Sequence, residues 1–244
     1  MRKLLLATAA GAALLSGSAF AADLPVRSSA PAFAAPAPLA FSWSGFYVGA
    51  NAGYAWNSSR WTSTSVPAAF TPFNNDGQGF IGGVHAGYNW QMNQIVFGLE
   101  GTIDWLDQRA SGQCSNAVGF VCRTSQSWLA DIGGRLGFAA DRALIYATGG
   151  VAFTEYKFSN PIPAPATSWG AGSRTGWFLG AGIDFAVTND WIAGVEYKHY
   201  DFGSASSQSN PVGTPVRFRQ TEDVIKARLS YKFGGPAGAV VAKY

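Results

Sequence analysis

From Trp43 onward the chain alternates between two kinds of side chain with a period of two. In WSGFYVGANAGYAWN (43–57), Phe46, Val48, Ala50, Ala52, Tyr54 and Trp56 share one frame; Tyr47, Gly49, Asn51, Gly53, Ala55 and Asn57 share the other. Successive side chains of an extended strand point to opposite faces, so this period predicts a strand with two unlike faces. The pattern returns at 78–91, 95–106, 127–139, 143–158, 174–187, 191–203 and 223–234. Large apolar residues keep to one frame, as Phe97, Leu99, Ile103 and Trp105 do, or Trp177, Leu179, Ile183 and Phe185. The stretch 143–158, ALIYATGGVAFTEYKF, is apolar on both frames and leaves its own register open.

The spacers alternate as well. Those around 92–94, 140–142 and 188–190 are tight, whereas those near 58–77, 107–126, 159–173 and 204–217 are long and rich in Ser, Asn, Pro and Gly. Strands of about ten residues are long enough to cross a bilayer when tilted, and short turns at one end with long loops at the other mark an outer-membrane barrel. The expected fold is all-β: an eight-stranded antiparallel up-and-down transmembrane β-barrel. Because the first loop is long, the N-terminus belongs on the periplasmic side.

Composition and charge decide which face is which. Charged residues make up 13% of the 244, about half the quarter typical of soluble domains, and aromatics reach 14%. Nearly all strand charges fall on the frame opposite the aromatics: Glu100, Asp104, Asp131, Arg135, Asp184, Glu196, Lys198, Lys226, Arg228 and Lys232. Glu155 and Lys157 share the frame of Ile145; counted with the rest, they give six acids and six bases for the interior. The aromatic frame is too bulky for the bore of an eight-stranded barrel and suits lipid, with Trp and Tyr near strand ends as interfacial girdles. The charged frame then faces inward. Charges in so narrow a lumen are expected to pair, which makes a salt-bridged plug the first reading. Glycines on the same frame (Gly49, Gly53, Gly87, Gly133 and Gly180) leave a narrow water-filled pore as the second.

The ends of the chain add an itinerary. Arg2 and Lys3 precede the apolar run LLLATAAGAALL, and Ala19-Phe20-Ala21 forms a cleavage signature, so residues 1–21 are expected to be a signal peptide. Residues 22–42 read as an Ala/Pro-rich periplasmic leader, 43–234 as the barrel and 235–244 as a short tail. Beyond the signal no run of eighteen apolar residues occurs. Without Arg2 and Lys3, 15 basic residues stand against 14 acidic ones, so charge gives no argument for nucleic acid.

Cys114 and Cys122, both in the second long spacer, are expected to form a disulfide in an exported protein. Two ligands alone make a poor zinc site. His85 falls on the inward frame and His199 near the outer end of the seventh strand, with no Ser-His constellation and no G-x-S-x-G beside them. No enzyme, metal or cofactor is expected.

The last strand carries KARLSYKF (226–233), similar to the C-terminal signal by which outer-membrane barrels are recognised for assembly. Lys226, Tyr231 and Phe233 match that signal, while Arg228 stands where glycine is usual. Together with WSGFYVGANAGYAW, LIYATGGVAF and VEYKHYDFG, the chain resembles small porin-family outer-membrane proteins of alphaproteobacteria with an OmpA-like eight-stranded domain. The resemblance implies residence in the cell outer membrane among its lipids, handling by the barrel-assembly machinery, and a structural role supporting envelope integrity while displaying four extracellular loops. The alternatives it carries are a narrow porin for small solutes and a loop-mediated adhesin or haem-binding surface that meets an extracellular ligand or host.

Overall fold

The computed structural model of the chain describes residues 41–63, 73–74, 76–113, 121–162, 167–207 and 216–234. Eight long strands carry it: β1 (Gly45–Ser63), β2 (Gly77–Met92), β3 (Ile95–Gln113), β4 (Val121–Ala140), β5 (Ala143–Ile162), β6 (Thr167–Ala186), β7 (Trp191–Ser207) and β8 (Val216–Lys232). Each pairs antiparallel with its sequence neighbours, and β8 closes back onto β1 from Tyr47↔Lys232 to Ser63↔Val216. A two-residue ribbon, Phe73–Asn74, adds to the outer part of β1.

The tight turns follow from local chemistry. Asn93 opens the β2–β3 turn with φ 56° and Asp141 opens the β4–β5 turn with φ 53°. Asn and Asp tolerate this left-handed region better than other residues with side chains.

Closure also fixes the stagger. Following paired residues once round from Tyr47, through Gly87, Glu100, Gly133, Gly150, Phe178, Tyr200 and Glu222, returns to β1 at Asn57, ten residues further along. Such a shear tilts the strands in the manner of small closed barrels, about 35–45° from the axis.

The strands run 16 to 20 residues, longer than the alternating segments of the sequence. β8 begins at Val216, seven residues before its apolar alternation, and β3 continues to Gln113. The polar spacers nearest each strand therefore extend the ladders. Above the apolar band the outer face meets water in place of lipid and carries polar residues such as Arg217 and Arg219, so the apolar period of two fades although backbone pairing continues and Trp61 and Phe218 stay buried inside.

The structure also sets the open register of β5. Leu144, Tyr146, Thr148, Ala152, Thr154 and Tyr156 point inward and are buried, and Ile145, Val151 and Phe153 point outward. Glu155 and Lys157 share this outward frame, so the interior count of six acids and six bases is corrected. Tyr146 and Tyr156 are buried where Ile145 and Phe153 stay exposed, and the apolar character of both frames of β5 could not show which set would be inside.

Candidate functional site

The lumen is filled in three layers, described from the short-turn end upward. Phe41 and Trp43 fold into the short-turn mouth ahead of β1. They join Val96, Ala139, Leu144, Tyr146, Ala186 and Ile192 in an apolar cluster. Trp43 is 1% exposed; its indole Nε1 donates to the Asp141 carbonyl at 3.1 Å and its backbone N–H to Gln91 Oε1 at 2.7 Å. Lys232 Nζ donates to the Ser42 carbonyl at 2.7 Å while lying over the Phe41 ring. The last part of the expected leader thus begins the barrel by closing its mouth.

The middle layer is ionic, and glycine makes room for it. A Cβ on Gly87 would meet the Tyr47 ring at 2.6 Å, one on Gly133 the Phe178 ring at 2.6 Å, and one on Gly180 the Lys198 chain at 2.8 Å. These positions hold neighbouring side chains rather than an open bore. This is how the interior also accommodates Tyr47, Tyr146, Phe178 and Tyr200, aromatics on the frame the sequence reading treated as small or charged.

Within that space Arg228 donates to both oxygens of Glu100 and to Glu196, with Tyr146 Oη 3.1 Å from its Nη1. Tyr47 donates to Glu100 at 2.8 Å and Tyr146 to Glu196 at 3.0 Å. Arg135 pairs with Asp184 at 2.6 Å, and Lys198 with Asp131 at 3.0 Å and Glu196 at 3.4 Å. Tyr200 donates to the second oxygen of Asp131 at 2.9 Å, and Lys226 pairs with Asp104 at 2.7 Å. Of the ten charged residues placed opposite the aromatic frame, nine, Glu100 through Arg228, are therefore buried and in ion pairs, and Lys232 is buried against the Ser42 carbonyl. Arg228, where the assembly signal usually has glycine, is the hub.

Three groups were missed. The tyrosine hydroxyls that complete the network have no charge to announce them. Glu222, fully buried on β8, precedes the segment read as a strand. Phe41 and Trp43 stand at the edge of a stretch without periodicity.

The upper layer is apolar again, built from Ala55, Trp61, Ile81, Leu106, Leu129, Ala152, Tyr156, Phe178, Tyr200, Phe202, Phe218 and Val224. His85 sits inside, its Nε2 2.8 Å from Ser230 Oγ. His199 faces outward with Asp223, 2.7 Å from its Nδ1, and Tyr197 Oη donates to the same carboxylate at 2.6 Å. Nothing brings the two histidines together. Among the described residues no cluster of three His, Cys, Asp or Glu side chains has the geometry of a metal centre. Cys114 and Cys122 lie outside the residues whose side chains are described.

On the outer wall, large apolar side chains stay exposed on every strand, among them Phe80, Leu99, Trp105, Ile132, Leu136, Ile145, Leu179, Ile183, Val195 and Leu229. Aromatics gather toward both ends: Tyr54 against Phe80 and Trp56 at the loop end, Trp90 on Phe97 and Trp191 on Tyr231 at the turn end. Tyr231 and Phe233 of the C-terminal signal pack together on this outer wall, 5.0 Å between ring centres, whereas Lys226 turns inward to Asp104.

Comparison with known proteins agrees with this architecture. The profile of the outer membrane protein beta-barrel domain family matches residues 7–233. The 31 kDa outer-membrane immunogenic protein of Brucella melitensis is 32% identical over 151 residues, 58% of this chain and 60% of the relative. The 22 kDa outer membrane protein of Rhizobium leguminosarum bv. viciae is 31% identical over 115 residues, 47% of this chain and 48% of the relative. The chain thus matches less than two thirds of the length of these relatives. Among solved structures, the outer membrane protein OprG from Pseudomonas aeruginosa aligns with a TM-score of 0.53 at 12% identity, over 79% of this chain and 97% of that one, a likeness of fold alone.

Proposed function

The chain belongs to the outer membrane protein β-barrel domain family and resides in the outer membrane, and from that premise we propose that it is a sealed structural barrel that supports the envelope and displays its long loops outside. Its relatives are named as outer-membrane proteins. One observation carries the structural reading: the Arg228–Glu100–Glu196 cluster spans the bore between two apolar layers, the lower of which includes Trp43 in the periplasmic mouth. A charged lining suited to conduction needs water around its groups, and these side chains are buried and paired with one another. The Brucella relative is named as immunogenic, and accessible loops on this chain form part of the same proposal. Tyr231 and Phe233, on the outer wall at the periplasmic rim, are the C-terminal side chains proposed to meet the assembly machinery. Planar-bilayer recording tests the sealed reading. Purified, refolded protein is expected to give no reproducible single-channel steps, and a regular unitary conductance would replace this reading with the narrow porin.

A further inference from the structure

At the loop end of the outer wall, level with the aromatic girdle, lies a polar cleft of about 420 Å³. Trp56 and Ser58 of β1 line it, with Asp76 just before β2, Gln78 within β2 and Asp223 of β8. Strand pairing sets these groups side by side, since Gln78 and Asp223 are the partners of Trp56 on its two neighbouring strands. Tyr54 packs its ring against the exposed indole at 5.1 Å. Each carboxylate is held through one oxygen. Ser58 Oγ donates to Asp76 Oδ1 at 2.9 Å, and Tyr197 Oη and His199 Nδ1 both meet Asp223 Oδ1, at 2.6 and 2.7 Å. Among the described residues no hydrogen bond reaches the second oxygen of either acid. The adjacent Glu222 turns into the lumen instead, where among the described residues the Gln126 amide is its one partner.

Higher on the same face the charge reverses. Arg60, four residues beyond Trp56, stands directly opposite Arg219 of β8, and Arg217 follows on that face. Like charges opposite one another across a strand pair are destabilising. Arg219 reaches Asp201 at 2.6 Å with its side chain still 61% exposed, and among the described residues no acid pairs with Arg60 or Arg217. The stretches 64–75 and 202–216 that adjoin these strands contain no Asp or Glu. Behind the arginines Trp61 and Phe218 stack inside the lumen, 5.1 Å between ring centres, which fixes the strands that carry them. The two levels suit one ligand. An indole flanked by carboxylate and amide groups matches a sugar ring, whose C–H face covers the aromatic while its hydroxyls donate to the open oxygens. Guanidinium groups match phosphate or carboxylate substituents. Such substituents would be repelled by Asp76 and Asp223, so the sugar sits low and its acidic groups sit high. Below the cleft Phe80, 81% exposed, continues the path down the lipid-facing wall, as acyl chains require. We propose that this cleft binds the headgroup of one anionic glycolipid of the outer leaflet, with a sugar on Trp56 between Asp76 and Asp223 and its acidic groups on Arg60 and Arg217. Whether the lumen conducts does not enter, because the cleft opens on the outer wall.

The test uses the full chain refolded in neutral detergent and native mass spectrometry, which counts the lipids each barrel retains. The probes are deep-rough lipopolysaccharide, phosphatidylglycerol as an anionic lipid without a sugar ring, and the delipidated oligosaccharide of the same lipopolysaccharide. The native chain is expected to retain one lipopolysaccharide saturably and to hold it about ten-fold or more tighter than either other probe. Trp56→Leu, verified as folded by its heat-modifiable gel band, is expected to weaken retention about ten-fold, and Arg60→Gln several-fold. Arg60→Gln changes only an exposed side chain and decides the matter if Trp56→Leu does not refold. Arg123→Gln, on the outer face of β4 at the same end of the barrel, is expected to leave retention unchanged. Equal retention of lipopolysaccharide and phosphatidylglycerol, or equal losses in Arg123→Gln and Arg60→Gln, would reduce the effect to general charge attraction and overturn the proposal. Retention undiminished in both Trp56→Leu and Arg60→Gln would put the lipid elsewhere on the wall. Equally tight binding of the oligosaccharide would assign the cleft to a soluble glycan, and either result overturns the proposal too.

Discussion

Arg228 holds two carboxylates at once, Glu100 and Glu196, with the Tyr146 hydroxyl beside it. Arg228→Ala would strand both acids in a desolvated layer, and removing one partner of a buried pair costs about 3–5 kcal/mol. Urea unfolding in detergent micelles is expected to show that loss as an earlier midpoint. Replacing Glu100, Glu196 and Arg228 together by apolar residues of similar size should cost less than Arg228→Ala alone, since no charge is then left unpaired. A single variant as stable as the native chain would mean the cluster contributes nothing to folding. That these residues face inward could be read from the sequence, because each sits out of phase with the aromatic frame. Their partnerships could not. Glu100 and Arg228 are 128 positions apart, and only the ten-residue stagger of the closed wall sets them at one level. Glu222 escaped for a related reason, standing in a polar stretch where alternation has faded.

At the level of strands and turns, the tight connections were legible because turn chemistry is local. Asn93 takes a left-handed conformation between β2 and β3. Asn93→Gly is expected to refold like the native chain, whereas Asn93→Val places a β-branched residue at positive φ and should destabilise the hairpin by about 1–2 kcal/mol. Refolding yield into lipid vesicles, read from the heat-modifiable band, measures the difference. An unaffected valine variant would show that the ladder pairing, from Met92↔Ile95 to Ile81↔Leu106, dictates the turn by itself. Strand limits were less legible, since pairing above the apolar band uses backbone groups common to every residue. The register of β5 was open for a different reason: Leu144 and Ile145 are equally apolar, and the space beside Gly137, Gly180 and Gly182 is where Leu144, Thr148 and Tyr146 of the inward set lie.

For the whole molecule the governing contrast is between an outer wall exposed to lipid and an interior closed to it. Ile132 stands on that wall, 59% exposed and far from either aromatic girdle along β4. Ile132→Arg should therefore cost about 2–4 kcal/mol in folding titrations into phospholipid bilayers, the penalty for a cation near the midplane, and the same substitution at Glu155 near the outer rim about 0–1 kcal/mol. Equal costs at the two sites would count against the membrane position of the wall. The sequence by itself determined the strand number, the up-and-down order, the asymmetry of turns and loops and the face that every strand but β5 turns to lipid. All of these rest on short-range period and on residue chemistry, which a chain carries wherever it folds. The tertiary structure alone decided how side chains fill the lumen, that Trp43 lies buried in its mouth, which acid meets which base and which carboxylate is left over. Those outcomes depend on the shear of a closed sheet and on volumes shared among eight strands, and no single strand contains them.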